Sequence, residues 1–223
     1  MTTKFFTQAI IKFLAGVVLV GVLIFLPAGT LSFFNGWLFM GILFVPMFCA
    51  GIVMMFKSPA LLASRLNAKE KQKEQDTVVK LSGLMFLIGF IIAGLGFRFG
   101  WYSLPKWLTI AAAVVFLIAY VLYAEVLREN TYLSRTIEVQ ANQTVIDTGL
   151  YGIVRHPMYS ATLLLFLAMP LVLGSLYSFV VFLAYPFIIA KRIKHEEEFL
   201  EKELDGYRTY KQKIKYRLIP FIW

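Results

Sequence analysis

The chain has 223 residues, is 59% hydrophobic and has a mean hydropathy of +0.73, against about 45–50% apolar content in a soluble domain. Its net charge of +9 is gathered at Lys57–Lys80, Arg128–Arg155 and Lys191–Arg217, a pattern explained by the positive-inside rule, so no nucleic-acid partner is expected. A single cysteine, Cys49, excludes an intrachain disulfide framework and a cysteine-based metal site.

The first span is expected from about Gln8 to Leu26, with Lys12 snorkelling to the interface. Lys4 and Lys12 before an apolar stretch resemble a signal peptide. No small-residue cleavage site follows, so an uncleaved span is expected. Pro27 to Thr30 forms a short turn. The second span runs from about Leu31 to Phe56, with a kink at Pro46. The loop Lys57–Lys80 is polar and carries six basic residues. The third span covers about Leu81–Phe97 and the fourth about Trp107–Ala124. Trp101, Tyr102 and Trp107 between and beside them suit an interfacial belt. Asn35 and Glu125 read as markers of the membrane boundary.

The polar stretch Glu125–Arg155 has weak strand-like character at Val139–Ile146 and a turn at Asp147–Gly149. Met158–Ala190 then carries no formal charge for 33 residues. As one helix it would be about 50 Å long, too long for a hydrocarbon core of about 30 Å. Pro170 and Gly174-Ser175 offer a break, so a helical hairpin of two limbs of about 15 residues is expected, returning the chain to the side it left. Lys191–Trp223 reads as a charged helix with a basic and aromatic end, Phe221 and Trp223 resting at the interface. The chain divides into a four-span region, 1–127, and a region 128–223 holding the 158–190 hairpin. Both termini are expected on the cytoplasmic side.

The chemistry-bearing residues flank that hairpin. GLYGIVRHPMYS, Gly149–Ser160, sets Arg155 and His156 before Pro157. Proline suits the first turn of a helix, and backbone N–H groups there favour anions. The plain reading is a cationic anchor with a helix-start proline. KRIKHEEEFL, Lys191–Leu200, puts Arg192 and Glu196 four apart on one helix face with His195 beside them. The plain reading is a solvated helix with ion pairs. Because a hairpin returns the chain to its start, Arg155, His156, Arg192 and Glu196 are expected to converge on one pocket, with Tyr151 and Tyr159 flanking the basic pair. Tyr207 and Tyr210 are expected to pack the tail helix. No Walker loop, GxGxxG, HExxH or GxSxG is present, and two histidines are too few to argue a metal site.

GLYGIVRHPMY, the arginine four before a Glu-Glu pair (Arg192, Glu196, Glu197) and LDGYRTYKQKIKYRLIP together resemble the isoprenylcysteine carboxyl methyltransferase family, including its bacterial relatives, and more distantly phospholipid N-methyltransferases. The resemblance covers roughly the last ninety residues. It implies an S-adenosylmethionine-dependent enzyme without a Rossmann domain, the cofactor in a cytoplasm-facing pocket and a lipophilic substrate arriving from the membrane. Carried over by position, cofactor contacts come from Gln143, Thr144, Val145, Ile146, Tyr151, His156, Pro157, Met158, Tyr159 and Glu196. Arg192 matches the arginine that holds a substrate carboxylate. Gln143 departs from the eukaryotic pattern, which has a histidine there, and the front half lacks the extra spans of the animal enzymes.

The expected fold is therefore an all-α integral membrane protein: four transmembrane helices, a C-terminal helical hairpin and a cytoplasmic cofactor-binding region, in a bacterial-type inner membrane. The expected activity is carboxyl O-methylation of an isoprenylcysteine-like substrate, with Arg192 and Arg155 as catalytic candidates, S-adenosylmethionine as cofactor, lipids as partners and no metal. Phospholipid N- or thiol S-methylation, and a non-catalytic membrane protein, are the alternatives. The acceptor, the oligomeric state and the depth of the hairpin stay open.

Overall fold

The computed structural model of the protein describes residues 3–66, 73–101, 104–134 and 136–223. Tyr102, expected in the interfacial belt, and the middle of the 57–80 loop lie outside them. Among the described residues helices are the only regular secondary structure, with no strand.

Four long apolar helices come first: α1 (Thr3–Ala28), α2 (Phe34–Lys57), α4 (Lys73–Phe99) and α5 (Lys106–Glu129), with a short helix α3 (Pro59–Leu66) after α2. All four expected spans are present; α1, α4 and α5 extend a turn or more beyond the expected run, while α2 starts three residues later and ends one residue further on. The extensions carry charge (Lys57, Asp76, Lys80, Arg128), which helices bear without cost once they leave the lipid. Pro46 sits inside α2, and Pro27 in the last turn of α1.

The hairpin differs from the expected pair of equal limbs. Its first limb, α6 (Pro157–Val172), has 16 residues, about 24 Å at 1.5 Å per residue. The return limb joins α7 (Leu176–Phe182) to α8 (Tyr185–Glu203) and is long and apolar enough to cross a membrane, making five such helices among the described residues rather than four. Pro170 stays within α6. The reversal falls at Gly174, whose φ of +74° is open to glycine and strained for other residues, and at Ser175, whose Oγ accepts from the Ser178 N–H. The charged stretch from Lys191 is not a separate helix but the continuation of α8.

One apolar core joins the front helices to the hairpin. Phe39 meets Phe90 and Phe116, and Phe182 packs on Phe86 and Phe90. Polar groups inside it are paired between helices: Ser178 Oγ donates to the Gly89 carbonyl and Tyr120 OH to the Leu43 carbonyl, each at 2.8 Å. Such bonds matter where no water can replace them. The outward face of α1 (Ile11, Leu14, Val18, Leu19, Val22) is exposed, as suits a lipid-facing helix. At one end the turns after α1, α4 and α6 come together, with Trp101 against Tyr177. At the other, basic end, the start of α6 and the last turns of α8 meet the segment that follows α5. The short helix α9 (Tyr207–Lys213) packs on that segment through Leu204, Tyr207, Tyr210 and Ile214 against Val139 and Val145.

Candidate functional site at the basic end

The segment after α5 builds the first wall. Val139–Ile146 forms no strand, because its backbone and side chains bond into turns. Gln143 N–H donates to the Gln140 carbonyl (3.1 Å), Gln140 N–H to Gln143 Oε1 (2.9 Å), and Gln140 Nε2 to the Tyr132 carbonyl (2.7 Å). Asn142 adopts a left-handed φ of 59°, which asparagine tolerates, and its carbonyl accepts from Tyr132 OH. Alternation of apolar and polar residues reads as a strand only when a partner strand exists, and none lies nearby.

A single 3-10 turn, Gly149–Gly152, carries Tyr151 into the site. Gly149 has φ +52°, and a Cβ there would overlap the Glu129 carboxylate, which accepts from the Leu150 N–H at 3.0 Å. Glu129 thus caps the start of the turn with a negative charge. Tyr151 OH accepts from Asn130 Nδ2 (3.0 Å), and the Tyr151 carbonyl accepts from Tyr210 OH (2.8 Å). Burial holds the phenols of Tyr151, Tyr207 and Tyr210 well above their ordinary pKa, so all three are neutral O–H groups. A hydrogen bond from Lys213, 2.7 Å away, lowers the Asp147 carboxyl and ties the loop to α9.

The third group of residues lies on the hairpin. His156 stands at the N-cap of α6 and Pro157 opens the helix. On α8, Arg192 Nε donates to Tyr159 OH (2.8 Å), and Tyr159 OH donates to Glu196 Oε2 (2.5 Å). Tyr159 therefore bridges the arginine and the carboxylate that the sequence placed on one helix face.

Glu197, one residue on, points the other way and is 1% exposed. Its Oε1 accepts from Arg155 Nε (2.7 Å) and lies 3.1 Å from His156 Nε2. Its Oε2 accepts from Arg217 Nε (3.1 Å). Arg155 Nη1 reaches the carbonyls of Ile214 (2.6 Å) and Lys215 (2.8 Å), while the N–H groups of Arg155 and His156 donate to the Tyr216 and Arg217 carbonyls. Ser160 Oγ completes the attachment at the Leu218 carbonyl. The carboxylate of Glu197 and the tail 214–218 thus lock the mouth of the hairpin. Arg155, a catalytic candidate from sequence, spends its guanidinium on this lock.

These walls form a cleft of about 110 Å³ that is partly open to solvent. Gln143, Thr144, Val145, Ile146, Tyr151, Arg155, His156, Met158, Tyr159, Arg192 and Glu196 all line it. Of the residues carried over by resemblance, only Pro157 does not, being buried at the first position of α6. His195 does not line it either. Sequence reasoning missed Asn130, Tyr207 and Tyr210 as cleft residues and Glu197 and Arg217 as the lock. The signal for Glu197 was available: Ile189, Ile193 and Glu197 fall at four-residue intervals and share the buried face of α8. One observation bears directly on a ligand. Tyr207 lines the cleft and is 4% exposed, yet among the described residues its hydroxyl has no hydrogen-bond partner. A buried neutral O–H without an acceptor is costly, and an acceptor atom placed in the cleft removes that cost. Among the described residues no cluster of side chains suits a metal.

Residues 107–205 match the family model for phospholipid methyltransferases, PEMT. The match starts with α5, passes through the whole hairpin and ends just before α9. No curated protein matches the chain. This match, together with five helices of membrane-crossing length among the described residues, supports an integral membrane methyltransferase.

Proposed function

We propose that the cleft binds S-adenosylmethionine and that the protein methylates a lipophilic acceptor drawn from the bilayer, most directly the carboxylate of an isoprenylcysteine-like molecule. The observation that carries this reading is the Arg192–Tyr159–Glu196 chain on the cleft wall, a cation and an anion held 2.8 and 2.5 Å from one phenol. The donor set fits the cofactor: Glu196 offers a carboxylate to its cationic or hydroxyl groups, Tyr151 an aromatic surface, and Tyr207 an unused O–H. When bound, the cofactor supplies an electrophilic methyl group on a sulfonium. The protein's part is to bring the acceptor into line and to keep water away. A carboxylate is already ionised at neutral pH, so it needs an arginine to hold it and no base. Arg192 is that arginine, oriented through its Nε by Tyr159.

A second reading, methylation of a phospholipid amine, is favoured by the description of the family that residues 107–205 match. An amine must lose a proton, so its rate rises with pH across the neutral range, whereas carboxylate methylation is flat there. The test combines binding and turnover in purified protein. Glu196→Gln is expected to weaken S-adenosylmethionine binding by calorimetry. Arg192→Ala is expected to cut labelled methyl transfer to a prenylcysteine analogue while cofactor affinity holds. Wild-type protein that is folded and binds no cofactor overturns the enzyme reading, and equal loss of binding and turnover in Arg192→Ala removes the acceptor role.

A further inference from the structure

The front half of the chain touches the cleft wall through Ser64 and Arg65, which lie in neither the matched segment nor the sequence motifs. Arg65 is on α3, a short helix seated by buried Leu61 and Leu62. Its guanidinium touches three elements. Nη1 donates to the Ser134 carbonyl (3.3 Å) and lies 3.8 Å from Met158 Sδ at the start of α6, and Nη2 donates to Tyr123 OH on α5. The charge also sits 5.6 Å over the Tyr123 ring. The preceding residue adds a weaker parallel contact: Ser64 Oγ lies 3.2 Å from the Leu133 carbonyl and shares its one proton with the Leu61 carbonyl at 2.9 Å. Two successive residues of α3 therefore grip two successive carbonyls of the segment that follows α5. Behind them, Lys12 Nζ donates to the Leu66 carbonyl at 2.9 Å, closing the end of α3.

Leu133, Ser134, Thr136, Ile137 and Glu138 form one side of the cleft, and Met158 belongs to another. Ser134 Oγ accepts from the Thr136 N–H and donates to Glu138 Oε1, bonds internal to the first side. We propose that Arg65 is a positioning residue: its guanidinium pins the Leu133–Ser134 edge of the cleft to α5 and α6, and so sets the affinity of the cleft for the ligand that fills it. The ligand half of this statement rests on the cofactor reading above. The geometric half does not. A planar fork with several donors is what the site uses, since three acceptors lie in different directions around one charge. A lysine in its place has a single nitrogen and serves one of them at a time.

The test uses full-length protein in detergent, with Arg65→Ala, Arg65→Lys and Ser64→Ala. Amide hydrogen exchange across 131–138 is expected to speed up at least tenfold in Arg65→Ala and less in the other two, while exchange in the cores of α4 and α5 stays as in the wild type. S-adenosylmethionine affinity by calorimetry is expected to fall about tenfold in Arg65→Ala, with partial recovery in Arg65→Lys. Unchanged exchange at 131–138, or equal acceleration through α4 and α5, overturns the proposal, the second because Arg65 would then be a general packing residue. Should Arg65→Ala not fold, the lysine and Ser64→Ala variants carry the same comparison. Wild-type protein that binds no S-adenosylmethionine removes the cofactor reading, and the exchange result then decides the clamp alone.

Discussion

Replacing Glu197 by alanine probes the lock at the hairpin mouth. The carboxylate is 1% exposed and holds Arg155, itself 6% exposed, together with His156 and Arg217. Removing one member of a buried ion pair strands the other charge, at a cost of about 3–5 kcal/mol. Arg155 keeps its two carbonyl bonds to Ile214 and Lys215, which favours the lower end, about 3 kcal/mol. For a protein of this size each kcal/mol moves the melting temperature by about 2–4 °C, so Glu197→Ala is expected to melt about 6–12 °C below the wild type. The tail should also loosen, because Arg217 loses its anchor, so limited proteolysis should release the segment beyond Ile214 first. Glu196→Gln is the control. That side chain faces the cleft, so it should leave the melting temperature within about 2 °C while reducing ligand affinity. A Glu197→Ala protein that melts with the wild type and keeps its tail protected would refute the argument, since it would mean that the buried charges are satisfied without the carboxylate.

Tyr207→Phe removes an unpartnered buried hydroxyl. It should leave the ligand-free protein as stable as the wild type or slightly more so, while weakening S-adenosylmethionine binding by a factor of about 2–10, the net worth of one hydrogen bond. Equal affinity in calorimetry would mean that the hydroxyl does not meet the ligand. The buried phenols give a pH signature. Their folded pKa values lie above the unfolded value near 10, so their contribution to stability is complete below about pH 10 and is lost as pH rises beyond it. Melting temperature should therefore fall on the alkaline side, and Tyr210→Phe should flatten that fall. An unchanged slope in the variant would rule out Tyr210 as a contributor.

Much of the site was legible before any coordinates, for identifiable reasons. Proline at 157 starts a helix because it has no N–H to lose, and Gly174-Ser175 must turn because an uncharged run of 33 residues exceeds one bilayer crossing. Those two facts bring Arg155 and His156 back beside Arg192 and Glu196. Other features were misread. Residue type alone did not show that Arg155, which lines the cleft, is also buried against Glu197. Val139–Ile146 alternated like a strand, but the bonds from Gln140 and Gln143 make it a turn-rich wall.

Composition and hydrophobic run length alone determined that the chain is helical and membrane-embedded, since lipid leaves the backbone few ways to satisfy its hydrogen bonds. They also determined where the chain reverses, because breakers and run lengths are local. Only the tertiary structure decided which charges face the cleft and which are buried against each other. Adjacent residues on a helix differ in direction by about 100°, so Glu196 and Glu197 take opposite roles that depend on what packs beside each. The same holds for Arg65, whose partners lie tens of residues away and whose meaning arises from that distant contact.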